Sequence, residues 1–404
     1  MTRVLVAVIV YNGRSFVPRA LRSIARLNQT TGHEVDVIVL DDASPDPGFS
    51  DELSALCASL GIVSYVSPRN VGIPRNMNLG MLWAVEGRYD ACVLLNSDVV
   101  VSAGLIDSLV AAAATAPKIA SVTAWANDVS IFSLENHNAE MHLSDQALLD
   151  QVAASLSDEF AGATVELPTG CGFCLYIPTS AIESVGVMDP VFGRGYAEEV
   201  DWCCRATERG WSHVLALDAF AFHMGSATNK EAGILAKGMR TVVTNEAIVD
   251  MRHPWYRDAL DEWAARDPLR EARARAIHRL VTDAARTRGV VIDATWLDRP
   301  IDHPDRAGSG EPATRSHQSG AEPKVRVVVR PDGAEPVVEA RVDGWRLAIP
   351  VGDDGALGAI AGLLGVTPSQ VRLHDDGEVS GRLGVDARAA GIPVDRRAMY
   401  PERV

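Results

Sequence analysis

The chain has 404 residues, 47% of them hydrophobic, long enough for more than one domain and able to fill at least one core. Lys and Arg (38) against Asp and Glu (53) leave a formal charge of −15 with no basic stripe, which argues against nucleic acid or an anionic membrane as partner; an anionic ligand then needs a local cation. Apolar runs such as residues 4–10 fall well short of the roughly 20 residues that cross a bilayer, and Met1-Thr-Arg leads into a strand pattern rather than a signal peptide, so a cytoplasmic protein is expected.

Residues 3–10 form a continuous run rich in Val and Ile, as a strand covered on both faces requires, and 35–40 and 91–95 repeat the type. Helical patterns lie between them over 15–27, 50–60 and 74–86, the last with Pro74 at its first position. Strand alternating with helix predicts a Rossmann-like, mostly parallel α/β sheet. Ligands of such sheets bind beyond the carboxyl ends of the strands, where this chain places Tyr11 and Asn12, Asp41 and Asp42, Asn70, and Asn96, Ser97 and Asp98. Each of these alone is also an ordinary turn or cap residue.

A less regular stretch over 125–167 carries His137 and His142. Small residues at 168–174, including Cys171 and Gly172, then lead into a strand. The segment Phe192-Gly-Arg-Gly-Tyr196-Ala-Glu198-Glu199-Val-Asp201-Trp202-Cys203 puts three carboxylates in four residues. Apolar spacing through Val200, Cys203 and Cys204 predicts that they open a helix. Acids in a first turn complement the helix dipole, which explains one or two more comfortably than three. Crowded carboxylates raise a pKa or recruit a cation, and either suits a general base. An apolar strand over 212–222 ends at His223.

Residues 256–288 read as a solvated helical extension, and 299–324, rich in Pro, Gly and Ser, as a linker. Beyond it, 324–330 and 337–349 read as paired strands, 356–364 as a short helix and 365–373 as extended chain. Hairpin, helix and strand in that order predict a small β-grasp-like module. The expected organisation is a first domain at 1–235, a helical extension at 236–298, the linker at 299–324 and a module at 325–404 suited to partner docking or oligomerisation. Six cysteines without paired zinc-ribbon spacing are read as buried reduced thiols.

The turn after the first strand, Tyr11-Asn-Gly13-Arg-Ser-Phe16, has one glycine where the dinucleotide fingerprint needs three, and there is no Gly-x-x-x-x-Gly-Lys-Ser/Thr loop. Hydride transfer from a nicotinamide and P-loop phosphoryl transfer are thereby disfavoured. Strand-end carboxylates, an acidic helix start and His223 suit Mg²⁺ or Mn²⁺, ions that neutralise a diphosphate.

Seven segments in order resemble the inverting glycosyltransferases of family 2 with a GT-A fold, especially their rhamnosyltransferase-like branch: Val8-Ile-Val-Tyr11-Asn12, Val39-Leu-Asp41-Asp42-Ala-Ser44, Asn70 to Gly80, Leu95-Asn96-Ser97-Asp98, Thr169-Gly-Cys-Gly, Glu198-Glu199-Val-Asp201-Trp-Cys203 with Arg205, and His223-Met-Gly-Ser. The resemblance covers about residues 3–230 and implies a nucleotide-diphosphate sugar as donor, a Mn²⁺ or Mg²⁺ cofactor and a hexosyl or deoxyhexosyl transfer. It implies that Tyr11, Asn12, Asp41, Asp42, Asn70, Arg75, Asn76, Asn78, Asn96 and Ser97 line the nucleotide-sugar pocket, and that Asp98 and His223 bind the metal. It puts Glu199 on the position of the base, supported by Glu198 and Asp201, and Cys171, Gly172 and Trp202 at the acceptor mouth. Two departures stand out: Asn96 begins the metal motif where Asp is usual, and Glu-Glu replaces Glu-Asp, which leaves the division of roles between Glu198 and Glu199 open. A soluble acceptor such as a natural product, glycan or protein is expected. A nucleotidyltransferase, disfavoured by the glycine-poor first turn, and a catalytically degenerate sugar-nucleotide-binding or scaffold protein, kept open by Asn96, are the other readings.

Overall fold

A computed structural model describes residues 1–127, 129, 131–134, 146–224, 235–294, 324–332, 335–343, 345–351, 355–374 and 378–396. His137, His142 and most of 299–324 lie outside the described residues. The chain forms two compact units, one of residues 1–139 and 143–276, the other of 140–142 and 277–404.

In the first unit β1 (Arg3–Val10) leads to α1 (Val17–Ile24), β2 (Glu34–Asp41), α2 (Phe49–Ser59), β3 (Val63–Val66), α3 (Ile73–Glu86), β4 (Ala91–Asn96), β5 (Val99–Val101), α4 (Leu105–Ala113) and β6 (Ile119–Trp125). There follow α5 (Gln146–Phe160), β7 (Thr164–Leu167), β8 (Cys174–Pro178), α6 (Thr179–Val185), α7 (Glu198–Thr207), β9 (Ser212–His223), α8 (Leu235–Arg252) and α9 (Tyr256–Arg266). The sheet order is β3-β2-β1-β4-β8-β6-β9-β5, with β7 also on β9. Strands β3, β2, β1 and β4 run parallel, β8 reverses, and β6 and β9 run parallel to each other. β1 is buried from Val4 to Val10, which is why its apolar run does not alternate. Helix α3 lies so close to it that a Cβ on Gly80 would come within 2.5 Å of that of Ala7.

This register sets the site. Val10 faces Asp41 across β1–β2 and Ile9 faces Asn96 across β1–β4, so three polar strand exits share one edge. The short strand β5, which follows the turn at Ser97 and Asp98, pairs with the far end of β9, Val99 opposite His223.

Helix α10 (Arg270–Arg288) contains the boundary between the units, set off from α9 by Asp267, in left-handed backbone, and Pro268. The second unit adds β10 (Val290–Ala294), β11 (Val325–Asp332), β12 (Glu335–Val342), β13 (Trp345–Ala348), α11 (Gly355–Leu364), β14 (Gln370–Leu373), α12 (Glu378–Ala389) and β15 (Val394–Arg396) in the order β13-β12-β11-β10-β14-β15. The expected hairpin, helix and strand are present. β10, which the sequence assigns to the helical extension, lies between β11 and β14, parallel to both, so this unit begins upstream of residue 299. Among the described residues no helix is long and apolar enough to cross a membrane.

Candidate active site

The two predicted metal ligands meet. His223 Nε2 lies 3.4 Å from Asp98 Oδ1, with both side chains largely shielded from water. Backbone pairing fixes the distance: Met224 N–H donates to Asp98 O (2.9 Å), and Asn127 clamps His223 by accepting its N–H at Oδ1 (2.7 Å) and donating from Nδ2 to its carbonyl (2.9 Å). Sequence reasoning missed Asn127, a lone amide past a strand end. Asn96 N–H donates to Phe173 O, and the Phe173 ring lies 5.5 Å from the His223 ring.

Residues 171–173 join this pair to the acidic helix start. Gly172 lies against the Glu199 carboxylate, since a Cβ there would come within 3.9 Å of Glu199 Oε1, and Cys171, half-buried, has its thiol pushed up to about 12, first by burial and then by Glu199. It is therefore a neutral thiol at neutral pH. Glu198 is buried and Glu199 half-buried, yet one oxygen of each, Oε2, is sealed from water and has no hydrogen-bond partner among the described residues. Burial, reinforced by the Glu199 charge, pushes Glu198 well above the ordinary carboxylate range; burial raises Glu199 as well, opposed by the N–H groups of Glu199, Gly172 and Val200. The Glu199 charge thus opposes ionisation of its neighbour Glu198.

The approach to the acidic helix is strained. Gly193, Gly195, Tyr196 and Ala197 all have positive φ (60°, 115°, 74° and 70°). For Tyr196 and Ala197 this costs on the order of 1–3 kcal/mol each and persists only where the surroundings impose it. On one side a Cβ on Gly72, at the start of α3, would fall 1.9 Å from Gly193 O, so only glycine fits there. On the other side stands α8, whose Val249 packs with Phe192, Cys204 and Tyr256.

Several predicted residues serve the framework. Asp201 is fully buried and paired with Arg205 (2.9 Å), Arg252 (3.0 Å) and His253 (3.2 Å), which anchors α7 rather than offering a carboxylate to a substrate. Trp202 is fully buried, its indole N–H on Gly186 O, and so does not line a mouth. Asn76 donates to Leu40 O, and Asn78 both donates to and accepts from the Met188 backbone. Asp41 accepts from Ser44 N–H, Ser44 Oγ and Ser50 Oγ; Asp42 accepts from Val71 N–H (2.7 Å) and Gly72 N–H (2.9 Å). Asn12, at φ 59°, ends β1 with its N–H on Ser44 Oγ. Tyr11 and Asn96 are half-buried, Ser97 is buried, and Asn70 and Arg75 are exposed. A cavity of about 510 Å³ lined by Phe160, Leu217, Pro268 and Arg275 holds none of the predicted site residues.

Among the described residues no three His, Cys, Asp or Glu side chains gather as a metal site. Asp98 and His223 offer one carboxylate and one imidazole. That set fits Mg²⁺ or Mn²⁺ held jointly with substrate phosphates and water.

Residues 5–164, under half of the chain, match the family model described as "Glycosyl transferase family 2". No curated protein sequence matches the chain. Solved structures to which the chain is similar include "GalNAc-T7 with UDP, GalNAc and Mn2+" (12% identity, TM-score 0.42, covering 55% of this chain and 44% of that one). A second is the "Mannosyltransferase PcManGT from Pyrobaculum calidifontis in complex with GDP-Man and Mn2+" (16% identity, TM-score 0.41, covering 70% of this chain and 75% of that one). The match thus spans less than half the length of the GalNAc-T7 chain. The fold of the first unit, a mostly parallel sheet with its polar exits on one edge, is the GT-A architecture that the resemblance implies.

Proposed function

We propose that this chain is a metal-dependent inverting glycosyltransferase that moves a hexosyl or deoxyhexosyl group from a nucleotide-diphosphate sugar to a hydroxyl or other nucleophile of an acceptor. The observation that carries this reading is the Glu198–Glu199 pair, each with a sealed, unpartnered oxygen, joined through residues 171–173 to the Asp98–His223 pair.

On the donor side Tyr11, Asn12, Asp41, Asp42, Asn70 and Arg75 edge the nucleotide, and Asn96 and Ser97 face the sugar. Each Asp42 oxygen already accepts one N–H and keeps a lone pair for a further donor. Asp98 and His223 hold the divalent ion, which when bound neutralises the leaving diphosphate. On the acceptor side Glu199 receives the nucleophile's proton during in-line attack at the anomeric carbon, so that no covalent intermediate is needed. A hydroxyl is a far weaker acid than a carboxyl, so proton transfer is late, and a base raised by burial suits it better than an exposed one. Glu198 keeps the pair's proton while Glu199 is ionised. Cys171 and Gly172 border the acceptor; Asp201, Trp202, Asn76 and Asn78 act only through the frame.

Incubation with UDP-, dTDP- and GDP-sugars and Mn²⁺ tests the reading by donor hydrolysis or binding, and indifference to every donor would overturn it. Asn96 and the two-ligand metal set favour a second reading, sugar-nucleotide binding without transfer. Tight donor binding with no turnover on any acceptor would select it.

A further inference from the structure

We infer that Asn245, on α8 and beyond the residues that match the family model, is a positioning residue that sets the place of Glu198 and Glu199 by clamping the strained loop ahead of them. Its catalytic consequence rests on the transferase reading above; the clamp does not.

The side chain is buried, and its single amide nitrogen donates to three carbonyl oxygens of one short loop, Phe192 O (3.0 Å), Gly195 O (2.8 Å) and Tyr196 O (3.0 Å). These carbonyls turn inward because Gly193, Gly195, Tyr196 and Ala197 all take positive φ. Ala197 ends the loop as the residue that caps α7, and its carbonyl accepts the first helical bond, from Asp201 N–H (2.9 Å). A carboxylate at the first helical position has its direction fixed by the φ and ψ of the residues before it. Holding Tyr196 and Ala197 in left-handed backbone therefore aims Glu198 and Glu199. The residue that caps α7, Ala197, makes no side-chain cap hydrogen bond, and Asn245 reaches its loop from a separate helix. The same α8 supplies Arg252 to Asp201, so one helix grips the acidic turn at both ends.

Asn245 does not touch the reacting atoms. Its loss should let the loop relax toward ordinary backbone and swing the base away, leaving Asp98, His223 and the donor pocket in place.

The test uses the full-length chain with Asn245→Ala and the near-isosteric Asn245→Asp, which removes the N–H donors and faces the carbonyls with oxygen. In hydrogen exchange of the ligand-free proteins, amides of residues 195–201 should exchange at least about tenfold faster than in the parent while β1 and β4 are unchanged. With a donor that the parent turns over, kcat should fall about a hundredfold, as small displacements of catalytic groups do, with nucleotide affinity within about twofold. Asn245→Gln, which keeps the amide, should restore part of kcat. Unchanged exchange over 195–201 in a folded variant overturns the clamp. Changed exchange with unchanged kcat overturns its positioning role. A parent that turns over no donor defeats the transferase reading alone, and exchange still decides the clamp.

Discussion

Asp98 and His223 are 125 residues apart in the chain and stand 3.4 Å apart because β5, three residues long, pairs with the last three residues of β9. The acidic turn thus acquires an imidazole partner through backbone register alone. Asn127 then fastens that register from the exit of β6.

If this pair holds the divalent ion, His223→Ala and Asp98→Asn should each weaken Mn²⁺ binding in the presence of nucleotide. Asn127→Ala, which only loosens the support, should weaken it less, by about 10–100-fold. Titration calorimetry with Mn²⁺ and UDP or GDP checks the order, and an Asn127→Ala effect larger than that of His223→Ala would contradict it.

Glu199→Gln keeps size and removes the base. Transfer should fall by about 10²–10⁴ with donor binding intact, which initial-rate kinetics and nucleotide titration separate. Glu198→Gln should cost much less, because in the proposed mechanism Glu198 keeps its proton. Equal losses for both would mean that they share the role.

The raised pKa of Glu198 makes a stability prediction of stated sign. Its native pKa lies above its unfolded value, so between the two the native state binds the extra proton and stability falls as pH rises. Glu198→Gln cannot ionise and escapes that loss. Its stability relative to the parent should therefore grow from about pH 4.5 upward, and urea melts at several pH values measure it. A relative stability that does not change with pH would show that Glu198 is not held protonated.

Asp201 is sealed between Arg205, Arg252 and His253. Asp201→Ala strands the Arg205 guanidinium in a largely buried position and should cost about 3–5 kcal/mol, read from denaturant unfolding. Nucleotide affinity of the protein that remains folded should be unchanged.

A chain ending near residue 298 keeps β10 without β11 and β14, the strands that pair with its two edges. Such a strand, apolar and open on both sides, should drive association, whereas a chain ending at Gly289 lacks it. Size-exclusion chromatography of the two truncations decides, and equal monomer content would contradict the role given to β10.

How much of this was legible varies with the range of the interaction. The buried strands were plain, since a run such as Val4–Val10 has no periodicity other than that of a strand covered on both faces. The strand exits followed from the alternation of elements, and the acidic helix start from its spacing. The pairing of β10 with strands far along the chain left no local mark, so its run appeared to continue the helical stretch before it. Asp201 and Trp202 looked like neighbours of the site because they adjoin Glu199 in sequence. A helix turns by about 100° per residue, so residues two and three places on point into the protein.

By itself the sequence determined the elements of the first unit, the edge at which its polar residues collect, and the crowding of Glu198, Glu199 and Asp201, because hydrophobic periodicity and chain direction are local properties. Only the tertiary structure decided which of those carboxylates is neutralised and which is left with an unpartnered oxygen. Asn245 and Arg252 come from a helix some fifty residues downstream and His253 follows its end, and their arrival against α7 and the loop before it separates three similar acids into one structural anchor and a pair with unpartnered oxygens. Burial and partner geometry set a carboxylate's chemistry, and neither is written in the order of residues.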